Sequence, residues 1–192
     1  INVDWINVEP VDATVEIPEA RINQICEAEY AKLEGGAAID IEHQGYSGSG
    51  FVSKLTSNGP SITWDLDNNL AAGNYDITIK YANGIPGTGE HITRTLNLYV
   101  NGTKHTISFE TTADWKTWNT VKQTISLNTG NNTIKLACDA ENSKRVNIDW
   151  IAVTALGVEL PKENLPKQNR NLGAWSRGLD EKKGVIPLWD GI

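Results

Sequence analysis

Through the middle of this chain apolar and polar residues alternate at the period of a β-strand. In Asn74–Tyr81, Tyr75, Ile77, Ile79 and Tyr81 share one face, and Asp76, Thr78 and Lys80 share the other. Thr95–Val100 and Lys104–Phe109 flank Asn101-Gly102. Asn-Gly accepts positive φ at both turn positions, so the pair predicts a tight hairpin. Further strands are expected at Gln24–Leu33, Gly50–Leu55, Ser61–Leu66, Val121–Leu127, Thr133–Cys138 and Val146–Val153. No window carries an apolar stripe at helical spacing. Short strands punctuated by turn residues over roughly 130 positions predict an all-β fold, a two-sheet antiparallel β-sandwich of jelly-roll type.

The pattern also repeats at long range. Ile1–Val8 reads almost as Val146–Val153, 145 residues later, with Asn, Asp, Trp, Ile and Val identical at matching places. That offset is about one domain length. It predicts that 1–8 is the last strand of a preceding similar module and that 9–23 is a linker, becoming strand only near Ile22. The sandwich is expected over 24–155. Residues 156–170, with Pro161 and Pro166, have spacer composition. Residues 171–192 are too short to fold alone and read as the start of a following domain. The absence of Met suggests a trimmed or mature product.

Charge narrows the partners. Lys and Arg number 17 against 24 Asp and Glu, a net charge of −7 with no basic cluster. A nucleic-acid partner, which needs a basic stripe, is excluded. No apolar run approaches the roughly 20 residues that span a membrane. Aromatic usage is lopsided, with seven Trp and five Tyr against two Phe, which suits wet recognition surfaces as well as cores. Of the two cysteines, Cys138 shares phase with Ile134 and Leu136 and should face inward. Two buried free thiols are the favoured reading, and a disulfide the alternative.

Candidate chemistry is sparse. Glu27 and Glu29, on the first expected strand, would project to one side roughly 6.6–7 Å apart. Like charges on one face repel unless a cation lies between them, and calcium takes six to eight oxygens at about 2.3–2.6 Å. Asp149 could add a third carboxylate if first and last strands are neighbours; two solvated glutamates are the alternative. His43, His91 and His105 lack metal-ligand spacing, and Ser47–Gly50 leads into a strand rather than the helix of a nucleophile elbow. Loops place aromatics beside amides at Tyr46, Asn83 and Trp115, which suits a sugar ring with an apolar face and a hydroxyl rim. Trp64, Trp118 and Trp150 read as core.

An ordered set of motifs carries a resemblance. It comprises Cys26–Tyr30, Gly45–Val52, Ala72–Tyr75, Tyr81–Gly84, Leu98–Gly102, Trp115–Trp118, Gly130–Ile134 and Asn147–Ile151. The succession resembles carbohydrate-binding module family 35, with its sister family 6 close behind, over about residues 24–155. The resemblance implies a structural calcium held by Glu27, Glu29 and Asp149. It implies a sugar site in the loops at one end, with Tyr46, Asn83, Trp115 and Asn147 as ligand contacts. More loosely, Asn171–Asp180 with Pro187–Gly191 resembles a stretch ahead of the catalytic barrel in glycoside hydrolase family 31.

The expected function follows. The chain should be a non-catalytic module that targets a secreted or cell-surface glycoside hydrolase or glucosyltransferase to polysaccharide, an α-glucan if the trailing resemblance holds. A small all-β glycosidase or lyase domain and a ligand-free, calcium-stabilised spacer are the competing readings.

Overall fold

A strand alternating as strictly as Asn74–Tyr81 needs a second sheet against which to bury its apolar row. The computed structural model, which describes residues 20–163 apart from 86, 88 and 90, supplies one. In chain order the strands are β1 Ala20–Arg21, β2 Ile25–Glu27, β3 Lys32–Glu34, β4 Ala38–Asp40, β5 Phe51–Ser53 and β6 Ser61–Asn68. They continue with β7 Gly73–Ala82, β8 Arg94–Val100, β9 Thr103–Phe109, β10 Asn119–Leu127, β11 Gly130–Ala137 and β12 Asn147–Ala155. One sheet runs β1-β6-β11-β8-β9, with β3 also on β6. The other runs β10-β7-β12-β5-β4, with β2 also on β12. Among the described strands, β1 alone pairs in parallel, with β6; an isolated parallel bridge joins Gly84 and Thr112. This is the expected sandwich.

The core lies between the sheets. Ile62, Trp64 and Leu66 of β6, Leu96 and Leu98 of β8, and Ile134 and Leu136 of β11 meet Tyr75, Ile77, Ile79 and Tyr81 of β7 and Ile151 and Val153 of β12. All are buried. The hairpin forms as predicted, with Asn101 at φ 49° and Gly102 at φ 84°. Cys26 and Cys138 are buried free thiols. Burial pushes both up to about 11, so they act as small apolar groups.

Three local features depart from the sequence reading, and each shapes the site. Gln24–Leu33 is not one strand. β2 pairs with β12 in one sheet, a 3₁₀ turn over Ala28–Tyr30 follows, and β3 pairs with β6 in the other. The chain changes sheets there, so Glu27 and Glu29 are not alternate residues of a single strand. Second, the β12–β7 register shifts between Ile148 and Trp150. Strict alternation from Val153 through Ile151 would point Asp149 into the core. The extra residue of the bulge re-aims it toward the outer face. Third, the polar row of β7 is covered at Thr78 and Lys80, which are 2% and 6% exposed. The segments 1–8 and 171–192 lie outside the described residues.

Candidate functional site

The bulge brings the acidic residues together. Trp150 pairs with Glu27 across β12 and β2, so the strand carrying Glu27 neighbours the last strand, and Asp149 sits beside that pair. The loop Ser47–Gly50 closes over them. The Ser47 N–H donates to both Asp149 oxygens, at 3.1 and 3.0 Å, and its hydroxyl donates to Glu27 at 2.8 Å. The Ser49 N–H donates to Glu29 Oε1 at 2.7 Å. Gly48 is the residue that permits this. It has φ +62°, and a Cβ there would lie 2.2 Å from Glu29 Oε1 and 3.0 Å from Glu27 Cδ.

Electrostatics at this place are unfavourable as they stand. Burial pushes Glu27 up to about 7; Glu29 and Asp149 add repulsion, and the Ser47 hydroxyl opposes part of the rise. Burial likewise pushes Asp149 up to about 6 against the pull of Lys80 and the Ser47 N–H. Glu29 Oε2 is buried without a hydrogen-bond partner. Crowded carboxylates with an orphaned oxygen fit a hard, oxygen-preferring divalent cation. Among the described residues, however, no three acidic, His or Cys side chains form a ready-made metal site. One of these carboxylates already has a cationic partner: the Lys80 ammonium lies 3.0 Å from Asp149 Oδ2.

The aromatic residues gather beside this loop. Tyr46 packs on Phe51 at 5.7 Å between centroids, and Phe51 meets the edge of Trp118 at 5.3 Å. His43 lies between Phe51 and Trp115, at 5.8 and 6.1 Å. Trp115 rests on Gly84, where a Cβ would come within 2.6 Å of the indole. Trp118, expected in the core, is instead half-buried in this patch, and its Nε1 donates to Gln44 O at 2.8 Å. Its strand β10 begins only at Asn119, so Trp118 stays with the loop and does not join the inward row. Trp64 and Trp150 are buried as expected.

The two asparagines differ. Asn147 opens β12 opposite Ala82, and its amide has no hydrogen-bond partner among the described residues. The same holds for the Tyr46 hydroxyl and Trp115 Nε1. Asn83 is fully buried, and its amide is engaged internally. It donates to Ile92 O at 2.8 Å and Phe109 O at 2.9 Å, and accepts from Arg94 at 2.5 Å. Arg94 also donates to Arg145 O and lies 5.4 Å from the Trp115 centroid. Asn83 therefore stands behind the aromatic surface, holding the cation that lies against Trp115.

Phe51 and Arg94 were not singled out from the sequence, and His43, Ser47 and Lys80 were considered there without a place in this site. Gly45 and Gly48, with φ +93° and +62°, were the available signal that the loop needed an unusual path. Open cavities of about 420 and 440 Å³ include one beside the acidic site, lined by Cys26, Glu27, Tyr30, Lys32 and Trp64, and one lined by Asp65, Asp67, Asn101 and Asn132. Neither is lined by Tyr46, Phe51, Trp115 or Trp118.

Comparison with known proteins identifies the family. Residues 27–155 match the model of the carbohydrate binding module (family 6). A 1,6-alpha-glucosyltransferase of Sporosarcina globispora is 34% identical over 155 residues, covering 79% of this chain and 12% of that protein. The chain thus spans only a small part of that relative's length. A Listeria monocytogenes protein solved with α- and β-D-glucose, magnesium and calcium superposes with a TM-score of 0.62 at 29% identity, over 67% of this chain and 12% of that one. A family 35 module from Clostridium thermocellum superposes at 0.60 with 29% identity, over 69% of this chain and 97% of that one. The chain accordingly belongs to the carbohydrate binding module family 6, with family 35 modules among its structural neighbours, and is a non-catalytic sugar-binding β-sandwich.

Proposed function

We propose that this module binds an α-glucan at the aromatic end of the sandwich, and that one calcium stiffens the loop forming one wall of that site. Trp115 stacks on a sugar ring, Tyr46 walls the cleft, and Asn147 bonds hydroxyls at the rim. Asn83 contributes from behind, by fixing Arg94 against Trp115. The observation that carries this reading is a patch of half-buried aromatics, Tyr46, Trp115 and Trp118, gathered around Phe51 and His43, with three polar groups at this end left unengaged. The Tyr46 hydroxyl, Trp115 Nε1 and Asn147 amide have no partner among the described residues, while the amide of Asn83 is fully engaged.

Calcium would be held by Glu27, Glu29 and Asp149. It would supply positive charge to buried carboxylates and a partner for Glu29 Oε2. Calcium in a neighbouring structure supports this choice, as glucose in the same structure and the 1,6-alpha-glucosyltransferase relative support an α-glucan. By the same reasoning the parent protein is a carbohydrate-active enzyme working outside the cell, and the module holds it to polysaccharide.

Calorimetric titration with isomaltoheptaose and with xylohexaose tests the reading. Binding of the former and not the latter is expected. Trp115→Ala removes both buried apolar area and the stacking contact, about 2–3 kcal/mol, or roughly 30- to 150-fold in affinity. Unchanged affinity in this variant would place the site elsewhere.

A further inference from the structure

Lys80 joins three parts of the molecule that are distant in sequence. Its ammonium donates to Gly45 O at 3.1 Å and Glu163 Oε2 at 2.8 Å, and pairs with Asp149 Oδ2 at 3.0 Å. It also lies 5.8 Å from the Trp118 ring centroid. An ammonium has three donors, so these three oxygens use them all. The side chain is only 7% exposed, and a buried lysine with every donor engaged has little freedom to relax when one partner is lost. Gly45 immediately precedes Tyr46, and Trp118 presses on it: a Cβ at Gly45 would lie 2.8 Å from Trp118 Cδ1. Glu163 belongs to the segment that leaves the sandwich. After β12 the chain turns, with the Val158 N–H bonded to Ala155 O, and brings Glu163 back to Lys80 on the outer face of β7.

We propose that Lys80 is a positioning residue of the glycan-binding end, one that ties the wall at Gly45–Tyr46 to the departing segment through Glu163. The proposal rests on the binding reading above. Its consequence is reciprocal. Whatever firms the Gly45–Tyr46 wall must firm the hold on Glu163, because both lean on one ammonium, and coupling between two sites acts equally in both directions. Glycan captured at the aromatic end would then steady the chain where it leads onward, which sets how a following domain is presented to the polymer. A solvent-exposed ion pair could not do this, since water would screen each arm separately.

Hydrogen exchange by mass spectrometry on the full chain with calcium present, with and without saturating isomaltoheptaose, tests the coupling. In the wild type, sugar should slow exchange at 157–163 as well as at 44–47. In Glu163→Gln, sugar should still protect 44–47 but no longer 157–163, with affinity lowered about threefold. Lys80→Met keeps the apolar stem and removes all three donors. It should speed exchange of both stretches by about tenfold and weaken binding by a similar factor. A merely structural lysine would lower the melting temperature without moving sugar-dependent protection at 157–163. Wild-type exchange at 157–163 that ignores sugar, while 44–47 responds, overturns the proposal. If Lys80→Met does not fold, Glu163→Gln decides alone. If the wild type binds no sugar, the binding reading falls, and the link is judged without ligand: unaltered exchange at 44–47 in Glu163→Gln refutes it, and faster exchange supports it.

Discussion

Removing calcium should make this domain less stable as pH rises toward neutrality, the reverse of what ion-paired or hydrogen-bonded carboxylates with depressed pKa do. Asp149 stands at about 6 in the fold against an ordinary 3.8, and Glu27 at about 7 against 4.5. Both folded values lie above the unfolded ones, so between about pH 4 and 7 the folded chain holds protons that the unfolded chain has released. Stability must fall as pH climbs through that window, and the cost is fully present above about 7. For Asp149, fully buried, two units correspond to roughly 3 kcal/mol. Glu27 is partly exposed, and solvent screening reduces its share to about 1–2 kcal/mol. Together these are a large fraction of the 5–15 kcal/mol typical of a domain. They correspond to a drop of roughly 10 °C in melting temperature for a chain of this size. Calcium binds the deprotonated carboxylates, so its stabilising effect should be much larger near pH 7.5 than near pH 5. Glu141, held down to about 2 by Lys104, and Asp139, held low by Asn97 and Tyr99, act in the opposite sense. They lose stability only as pH falls below the ordinary carboxylate range, so the two windows separate. The assay is differential scanning calorimetry of metal-free and calcium-loaded protein at both pH values. Equal calcium increments at the two pH values, or a metal-free domain that melts higher near pH 7.5, would refute the reasoning.

Three further outcomes are expected. Gly48→Ala forces a Cβ into the Glu27–Glu29 carboxylates at a left-handed φ, so it should lower stability by about 2 kcal/mol or more and weaken calcium binding measured by titration; a neutral substitution would mean the loop packs differently. Trp118→Ala should cost about 2–3 kcal/mol in denaturant unfolding, below the roughly 3–5 kcal/mol of a buried aromatic, because Trp118 is half-buried and loses one edge contact and one hydrogen bond. The same variant should weaken sugar binding, since Gly45 loses its support. Asn83→Ala leaves the buried Arg94 short of an acceptor and two carbonyls short of donors, a loss of about 2–3 kcal/mol with weakened sugar binding; intact affinity would show that Arg94 does not set the Trp115 ring.

Strand identity and turn chemistry could be read from local sequence. The alternation in β7 and the Asn101-Gly102 hairpin were legible because a pleated strand repeats every two residues and a primed turn needs residues that tolerate positive φ. The ordered motifs from Cys26 to Ile151 carried the family for the same reason: they are fixed by nearest neighbours in sequence. Sheet membership was not legible within Gln24–Leu33, because crossing between sheets depends on which edges β6 and β12 leave open, and that is settled only on assembly.

The site divides along the same line. The residues themselves marked Tyr46, Asn83 and Trp115 as loop groups suited to a sugar, the family resemblance added Asn147, and the spacing of Glu27, Glu29 and Asp149 marked oxygens for a cation. Only the tertiary structure decided what surrounds those groups. The β12 bulge turned Asp149 out of the core row, Gly48 let both glutamates crowd one point, and the carbonyls of Ile92 and Phe109 drew the Asn83 amide inward. Lys80, an ordinary polar residue of an alternating strand, acquired three partners separated from it by 35, 69 and 83 positions. Local periodicity fixes which way a side chain points from its own strand. Which charges and hydrogen-bond partners it then meets depends on segments brought beside it by folding, and that information is held in no single stretch of the chain.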